Sequence, residues 1–318
     1  MDIGVQTACM TTSRRTAFQL YSVREHPDSL SEIVRRVAAN GYNGVEFAHR
    51  FQWEPPDDIA TVLEETGLVP VAVHADLSTI EDALAGEADL LERSATVGCD
   101  RLIVPHLDST HFRTRESVRA LADRLNDVAT ALDDRGLELG LHNDRSWLCP
   151  LLPGGVETLI DATPTPDGAA DYIQEAGRRL RARNTGPVPR RTPIWYLIAE
   201  TDPDAIWFEL EVAELHVGGV APTEAVSLLD GRVEMLHLRD VAPGPGLGEY
   251  ESVPHGDGVV DMKRTLEAAG DAGVEWVIYE NELNTAPEEK IDAGRRFFDR
   301  TLGEQAATTG LAHRTEAP

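Results

Sequence analysis

The stretch AFQLYSVREHPDSLSEIVRRVAANGYNGVEFA, residues 17–48, decides the fold because it places two short apolar runs on either side of an amphipathic segment. AFQLYSV and GVEFA are typical of buried strands. Between them, Ser29 is a helix start signal before LSEIVRRVAAN, and Asn40-Gly41 is a stop signal. The stretch therefore predicts a β–α–β unit with two parallel strands.

The same alternation of strands and amphipathic stretches continues to Leu302 and gives eight β–α pairs. The strands are predicted at residues 17–23, 44–48, 69–75, 101–106, 138–143, 205–212, 233–240 and 276–281. Eight regular pairs favour a closed barrel over an open sheet, and no G-x-G-x-x-G turn follows the first strand. The sequence predicts an α/β protein, a (β/α)8 TIM barrel with an insertion after the fifth strand.

The predicted domain organisation is one barrel with additions. Residues 1–15 are interpreted as an N-terminal extension, 16–303 as a single TIM-barrel domain and 304–318 as a flexible tail. Residues 149–191 are the insertion, which is rich in Pro and Gly and contains AGRRLRARN. Long loops after barrel strands lie at the catalytic face, so we interpret the insertion as a lid, with a surface or oligomer contact as the alternative.

The arginines of this insertion leave open whether the substrate is phosphorylated. They could hold a phosphate group, or they could solvate one face of a helix. The arginines concerned are Arg178, Arg179, Arg181 and Arg183.

The charge of the chain excludes several classes of partner. Acidic residues outnumber basic ones by 55 to 29, and the net charge is −26, which argues against nucleic acid and anionic membranes as partners. Lys263 and Lys290 are the only lysines. We interpret this composition as adaptation to high salt, where a short Debye length screens the repulsion between carboxylates. The alternative is an acidic protein from an organism that lives at ordinary salt concentration.

The remaining composition predicts a cytoplasmic protein. The sequence has no apolar run long enough to span a bilayer, and its start lacks the apolar core of a secretory signal. Cys9, Cys99 and Cys149 are scattered, which suggests neither a disulfide framework nor a thiolate metal site.

The predicted strands can be divided into inward and outward side chains, because successive residues of a strand point to opposite faces. On the seventh strand, Met235 and His237 are predicted to point into the barrel and Leu236 and Leu238 toward the helices. The same counting predicts ionisable inward side chains near the ends of the other strands. Together these inward residues are Glu46, His74, His106, His142, Glu209, Glu211, His237 and Glu280.

Such a group at one barrel mouth predicts a bound cation. A single inward His or Glu is usually a hydrogen-bonded core residue, but several together carry large desolvation costs unless a cation or proton network offsets them. Imidazoles and carboxylates without thiolates suit Mn²⁺, Zn²⁺, Co²⁺ or Mg²⁺, and we expect one divalent ion, with Mn²⁺ favoured. His106, Asp108 and His111 could supply a second metal site, although PHLDSTH is more typical of a solvated loop.

At these strand ends the sequence resembles the xylose isomerase-like sugar phosphate isomerase/epimerase family. The resemblance runs from FQLYSVRE and GYNGVEFA through LGLHND, FELEV and MLHLRD to HGDGVVD and VEWVIYENE. It implies a TIM barrel that binds one divalent metal at the ends of strands five to eight. The implied ligands are His142, Glu211, His237 and Glu280.

Two positions depart from the family pattern. The sixth-strand ligand is usually Asp in this family, whereas this chain has Glu211. The fifth strand of the nearest subgroup usually reads His-Asn-His-Asp-Phe-Glu, or carries Glu at the position of His142. This chain reads HNDRSW from His142, so the second His and the later Glu are replaced.

The resemblance implies a metal-dependent sugar or sugar-phosphate isomerase/epimerase that transfers protons through an enediolate. The predicted catalytic residues are Glu280 and Glu211, which would shuttle the proton, and His142, which would act as ligand or as neutral base. The predicted substrate-binding residues are Glu46, His74, His106, Asn143, Arg239 and Asp240. Asp240 could instead orient His237.

Three other functions are alternatives to this one. A dehydratase acting on an inosose or keto-acid would use the same metal and enediolate. A non-catalytic sugar-binding barrel is favoured by the substitutions at Asp144 and Trp147. Phosphate-ester hydrolysis on DNA is disfavoured by the net charge of −26. The expected partner is a small-molecule sugar or polyol, and a homo-oligomer is left open because barrels of this kind commonly pair.

Overall fold

The structure is a computed structural model that describes residues 14–153, 169–181, 185–229, 231–283 and 286–312. Its strands are β1 Arg15–Gln19, β2 Gly44–Phe47, β3 Val69–His74, β4 Arg101–Val104, β5 Glu138–His142, β6 Ile206–Glu211, β7 Val233–Leu238, β8 Asp240–Pro243, β9 Tyr250–Val253 and β10 Trp276–Tyr279. Eight of them form a closed parallel barrel in the order β1-β10-β7-β6-β5-β4-β3-β2. The predicted (β/α)8 barrel is confirmed.

The helices surround this barrel. They are α1 Leu30–Ala39, α2 Pro56–Thr66, α3 Leu77–Leu84, α4 Leu90–Thr96, α5 Arg115–Asp133, α6 Ala169–Arg181, α7 Pro193–Glu200, α8 Val212–Val217, α9 Pro222–Leu228, α10 Met262–Asp271 and α11 Pro287–Ala312. The start signal of α1 is a capping box, in which the Glu32 backbone N–H donates to the Ser29 hydroxyl and the Ser29 backbone N–H donates to the Glu32 carboxylate. None of the described helices is both long and apolar enough to cross a membrane.

Two stretches near the barrel mouth differ from the predicted strands. Leu20–Val23 forms a 3-10 turn, because the Gln19 side chain accepts a hydrogen bond from the Tyr21 backbone N–H at 3.0 Å. After β7 the chain enters the antiparallel β8–β9 hairpin, which the sequence pattern did not predict. The strand run assigned to residues 233–240 therefore ends at Leu238.

Inward and outward side chains alternate along the barrel strands as predicted, except on β3, where Val71 and Ala72 both belong to the inner layer. Inward residues form one buried apolar layer, and the outward residues belong to a separate core shared with the helices. Gly140 leaves room for an indole ring, since a Cβ there would lie 2.5 Å from Trp207. The inner layer consists of Ala17, Val71, Ala72, Ile103, Trp207, Met235, Trp276 and Ile278. Because these side chains fill the lower and middle barrel, the buried ionisable side chains of the interior lie toward its C-terminal end.

The insertion contributes helix α6, which is packed onto the barrel by buried polar contacts. The Gln174 amide donates to the Phe112 and Pro150 carbonyls at 3.0 and 3.2 Å. Arg178 is 1% exposed and donates to the Glu175 carboxylate and the Val217 carbonyl. The Arg178 guanidinium therefore binds groups of the protein itself and stabilises the packing of α6.

The ends of the chain are described in part. Residues 1–13 of the predicted extension, residues 154–168 and 182–184 of the insertion, and residues 313–318 lie outside the described residues. The sequence places residues 304–318 in a tail, whereas the backbone of residues 304–312 continues helix α11.

Candidate functional site

Four of the predicted residues meet at the C-terminal mouth of the barrel. His142 and Glu211 end β5 and β6, His237 is the penultimate residue of β7, and Glu280 follows β10. One nitrogen or oxygen atom of each lies within 4.8 Å of the others, and the group could hold a metal ion. We call His142, Glu211, His237 and Glu280 the upper group. It is the set of ligands that the sequence predicted, although their role as ligands stays a prediction.

The upper group contains buried polar atoms without hydrogen-bond partners. Both ring nitrogens of His142 and the Oε2 atom of Glu211 have none. Burial lowers the pKa of His142 to about 3, so its imidazole is neutral at pH 7 and keeps a free lone pair. Unpartnered buried polar atoms are costly, and a cation bound by two imidazoles and two carboxylates would satisfy them. The residues present therefore fit a divalent metal ion.

The two carboxylates of the upper group are held differently. Burial raises the pKa of Glu211 well above its usual range. Burial acts in the same direction on Glu280, but the hydrogen bond to His237 and the charges of His237 and Arg239 bring the pKa of Glu280 well below its usual range. One carboxyl is therefore kept near its protonated form beside another that is kept ionised.

Arg239 lies beside the upper group and contacts three carboxylates. Its Nε atom is 3.4 Å from Glu211 Oε2, its Nη2 atom is 2.6 Å from Glu214 Oε1, and Nη1 contacts Glu282. The Arg239 side chain is 11% exposed. This guanidinium offsets part of the negative charge at the mouth, while its predicted contact with substrate stays a prediction.

A second group lies one layer deeper, on the inner face of β2, β3, β6 and β7. It consists of Glu46, His74, Glu209 and His237, whose ligand atoms also lie within 4.8 Å of one another. We call it the lower group. Burial opposes charge here, yet His74 and His237 lower the pKa of Glu46 to about 2, and Glu46 and Glu209 raise that of His74 to about 9. Its acids and bases neutralise one another.

Glu209 is the member of the lower group to which the sequence prediction assigned no role. The alternation of ELE at residues 209–211 indicates that Glu209 and Glu211 both point inward, with Glu209 deeper. This alternation is the sequence signal that could have identified Glu209 as a site residue. The partner of Glu209 depends on the register between β6 and β7, which shifts between Phe208 and Glu209 and cannot be derived from one strand.

Asn143 and Asp240, two other predicted site residues, bind backbone groups. Asn143 Oδ1 accepts from the Glu211 backbone N–H at 2.9 Å, so it connects β5 to β6. Asp240 accepts backbone hydrogen bonds from Val241, Gly256, Gly258 and Val260, and thereby organises the loop after the hairpin. It does not take the position beside His237, which Glu46 and Glu209 occupy.

His106 stands at the rim, with its side chain 71% exposed and Nδ1 3.3 Å from Asp144 Oδ2. The alternative second metal site at His106, Asp108 and His111 is not among the metal-binding groups found in the described part of the chain. Asp108 instead accepts hydrogen bonds from Thr110.

Two cavities meet at the upper group. One, of about 480 Å³, extends toward β1–β4, and the other, of about 410 Å³, extends toward β5–β7. Both are lined by His106, His142, Glu280 and Glu282. The first has an apolar side that includes Tyr21 and Phe51, and the second contains Arg145 and Arg239. A small molecule in either cavity would contact the upper group.

The fold and this site define a TIM barrel with an imidazole and carboxylate group at its C-terminal mouth. The chain belongs to the xylose isomerase-like TIM barrel family, a family of enzymes, because the family model matches residues 34–301. It is similar to inosose dehydratase from Lacticaseibacillus casei, with 22% identity over 293 residues that cover 86% of this chain and 90% of that protein.

Solved structures share the fold at low identity. A sugar phosphate isomerase/epimerase from Parabacteroides distasonis has a TM-score of 0.65 and 16% identity, covering 93% of this chain and 98% of that one. The IOLI protein, whose structure contains a zinc atom, has a TM-score of 0.65 and 14% identity, covering 91% of this chain and 98% of that one. Structures at 14–16% identity support the barrel fold, and they do not identify the reaction.

Proposed function

We propose that this protein is a metal-dependent isomerase or epimerase that moves a proton on a sugar or polyol next to its carbonyl group. The observation that carries the proposal is the upper group, where neutral His142, two unlike carboxyls and His237 converge on one point between two cavities. A bound divalent ion would supply Lewis-acid stabilisation of the negative charge that develops on the substrate oxygens.

The residues of the chain would divide the remaining work. His142, Glu211, His237 and Glu280 would hold the ion, with Mn²⁺ favoured. Glu280 and Glu211 would also take a proton from the substrate carbon and return one, with an enediolate between the two transfers. His142 would be a ligand or a neutral base.

The surrounding side chains would position the substrate. His106 and Arg239 line the cavity toward β5–β7, and His74 lines the cavity toward β1–β4. Asp171 of helix α6 accepts a hydrogen bond from Ser109, which lines the cavity toward β5–β7, and we propose that the insertion covers bound substrate.

A dehydratase is the second candidate, and the similarity to inosose dehydratase favours it. The first proton transfer would be the same, but a β-hydroxyl would then leave as water, with one proton added to it. The product would be an enone that absorbs in the ultraviolet, whereas epimerisation gives no such absorbance.

The test is incubation of Mn²⁺-loaded protein in D2O with a panel of ketoses, ketose phosphates and inososes. Deuterium entering the carbon next to the carbonyl, with a new stereoisomer and no ultraviolet product, is the result that we expect. An enone product would select the dehydratase. Sugar binding without deuterium exchange on any member of the panel would identify a non-catalytic barrel and overturn the proposal.

A further inference from the structure

His237 lies between the upper and lower groups and uses one ring nitrogen toward each. Its Nδ1 atom is 3.2 Å from Glu280 Oε2 in the upper group. Its Nε2 atom is 2.6 Å from Glu46 Oε2 and 3.0 Å from Glu209 Oε1 in the lower group. All three side chains in the lower contacts are 0% exposed, so water does not compete for them.

The chemistry of these partners decides which nitrogen carries the proton. An ionised carboxylate only accepts hydrogen bonds, and a neutral imidazole has one N–H and one lone pair. Without a bound ion both ring nitrogens of His237 donate, Nε2–H to Glu46 and Nδ1–H to Glu280. When an ion replaces the proton on Nδ1, the N–H that His237 keeps belongs on Nε2, beside Glu46 and Glu209. The lone pair is then on Nδ1, directed toward Glu280 and the rest of the upper group.

The two carboxylates are themselves fixed from the other side. His74 Nε2 lies 3.0 Å from Glu209 Oε2 and 3.4 Å from Glu46 Oε1. The rings of His74 and His237 stack with centroids 5.5 Å apart and planes 18° apart. The Gln19 amide also donates to Glu46. The lower group is therefore a closed ring of alternating acids and bases, with neither carboxylate free to turn away from His237.

We propose that Glu46 and Glu209 are positioning residues that hold His237 in the Nε2–H tautomer, with Nδ1 presented to the divalent ion. The inference rests on the metal ion of the proposed function. It assigns the lower group no ion of its own, because His237 Nε2 cannot donate to Glu46 and bind a second ion at once. Carboxylates that accept from a ligating imidazole fix its orientation and raise its basicity.

The experiment is Mn²⁺ titration of chelator-treated protein, followed by electron paramagnetic resonance of the free ion. The variants are Glu46→Gln and Glu209→Gln, which keep the side-chain size but allow the amide to donate to Nε2. We expect one Mn²⁺ per wild-type chain and a loss of about 10–100-fold in affinity for each variant. Glu234→Gln is the matched control, because Glu234 is on β7 with His237 but pairs with Arg101 at 3.2 Å, away from both groups. It should keep the wild-type affinity.

The outcomes separate the two proposals. Wild-type affinity in both variants, or two Mn²⁺ per wild-type chain, would overturn the positioning role and leave the proposed function standing. Absence of Mn²⁺ binding by the wild type would overturn both.

A second measurement reads the tautomer in the wild-type protein, and a variant serves only to assign the signals. Long-range ¹H–¹⁵N spectra of the Zn²⁺-loaded wild type report the tautomer of each histidine, and loss of signals in His237→Gln assigns that ring. A proton on Nε2 is expected, whereas a proton on Nδ1 would contradict the inference.

Discussion

The ionisable side chains of this site are buried together but are held by different neighbours. Glu211 and Glu280 belong to one group, yet burial dominates the first and contacts with His237 and Arg239 dominate the second. Unlike carboxyls in contact are the arrangement needed to accept a proton at one position and deliver it at another.

Replacing Glu280 should remove proton transfer from the enzyme. We expect Glu280→Gln to slow deuterium exchange by about 10²–10⁴-fold at saturating Mn²⁺, because the amide cannot act as a base. Proton NMR of the substrate carbon measures the exchange. Glu138→Gln is the control, since Glu138 is exposed at the opposite end of β5. Exchange at the wild-type rate in Glu280→Gln would remove Glu280 from the mechanism.

Arg239 should matter most when no cation is bound. We expect Arg239→Gln to lower the free energy of unfolding of metal-free protein by about 3–5 kcal/mol, because Glu280 and Glu214 lose a buried counter-ion. Saturating Mn²⁺ should reduce this difference, since the ion supplies positive charge beside Glu211 and Glu280. Urea unfolding with and without Mn²⁺ measures both values.

The matched control for Arg239 is Arg119→Gln, which breaks an exposed ion pair with Glu200. Its effect should be small and independent of the ion. A difference between Arg239→Gln and wild type that Mn²⁺ leaves unchanged would argue against a cation near Glu211.

The barrel strands position the site because inward and outward side chains alternate along them. The alternation was predictable from the sequence, because the direction of a side chain depends only on its place along its own strand. That is why counting on single strands placed His142, Glu211, His237 and Glu280 at one mouth. It also indicated that Glu46, His74 and Glu209 point inward.

Contacts between strands were not predictable in the same way. The approach of Glu46 and Glu209 to one nitrogen of His237 joins three strands, and it depends on register and on the distance across the barrel. The β8–β9 hairpin was missed because Asp240 is satisfied by backbone groups up to 20 residues later in the chain. From the sequence alone, Arg239 and Asp240 resemble the end of strand β7.

The inner layer predicts a test of barrel packing. We expect Gly140→Ala to lower the free energy of unfolding by about 1–3 kcal/mol, because the added Cβ overlaps a tightly packed indole. The nearest Trp207 atom would be 2.5 Å away. Gly303→Ala is the control, because a Cβ there has nothing within 4 Å and lies in helix α11. Equal stability of the two variants would show that β5 shifts freely.

The net charge of −26 predicts that the stability of the protein depends on salt. Molar KCl shortens the screening length, so repulsion between surface carboxylates should oppose the folded state less. We expect the melting temperature to rise steadily from dilute buffer to molar KCl, as measured by circular dichroism. Sucrose at matched osmolality is the control, and a melting temperature that KCl leaves unchanged would contradict adaptation to salt.

The closed order of the eight barrel strands has a consequence for self-association. Each strand of the barrel already exchanges backbone hydrogen bonds with two neighbours, so a second copy finds no free strand edge in that sheet. Dimerisation would have to use helices, loops or the separate β8–β9 hairpin. A chain this acidic would then bring carboxylates face to face, and assembly would depend on counter-ions from the medium.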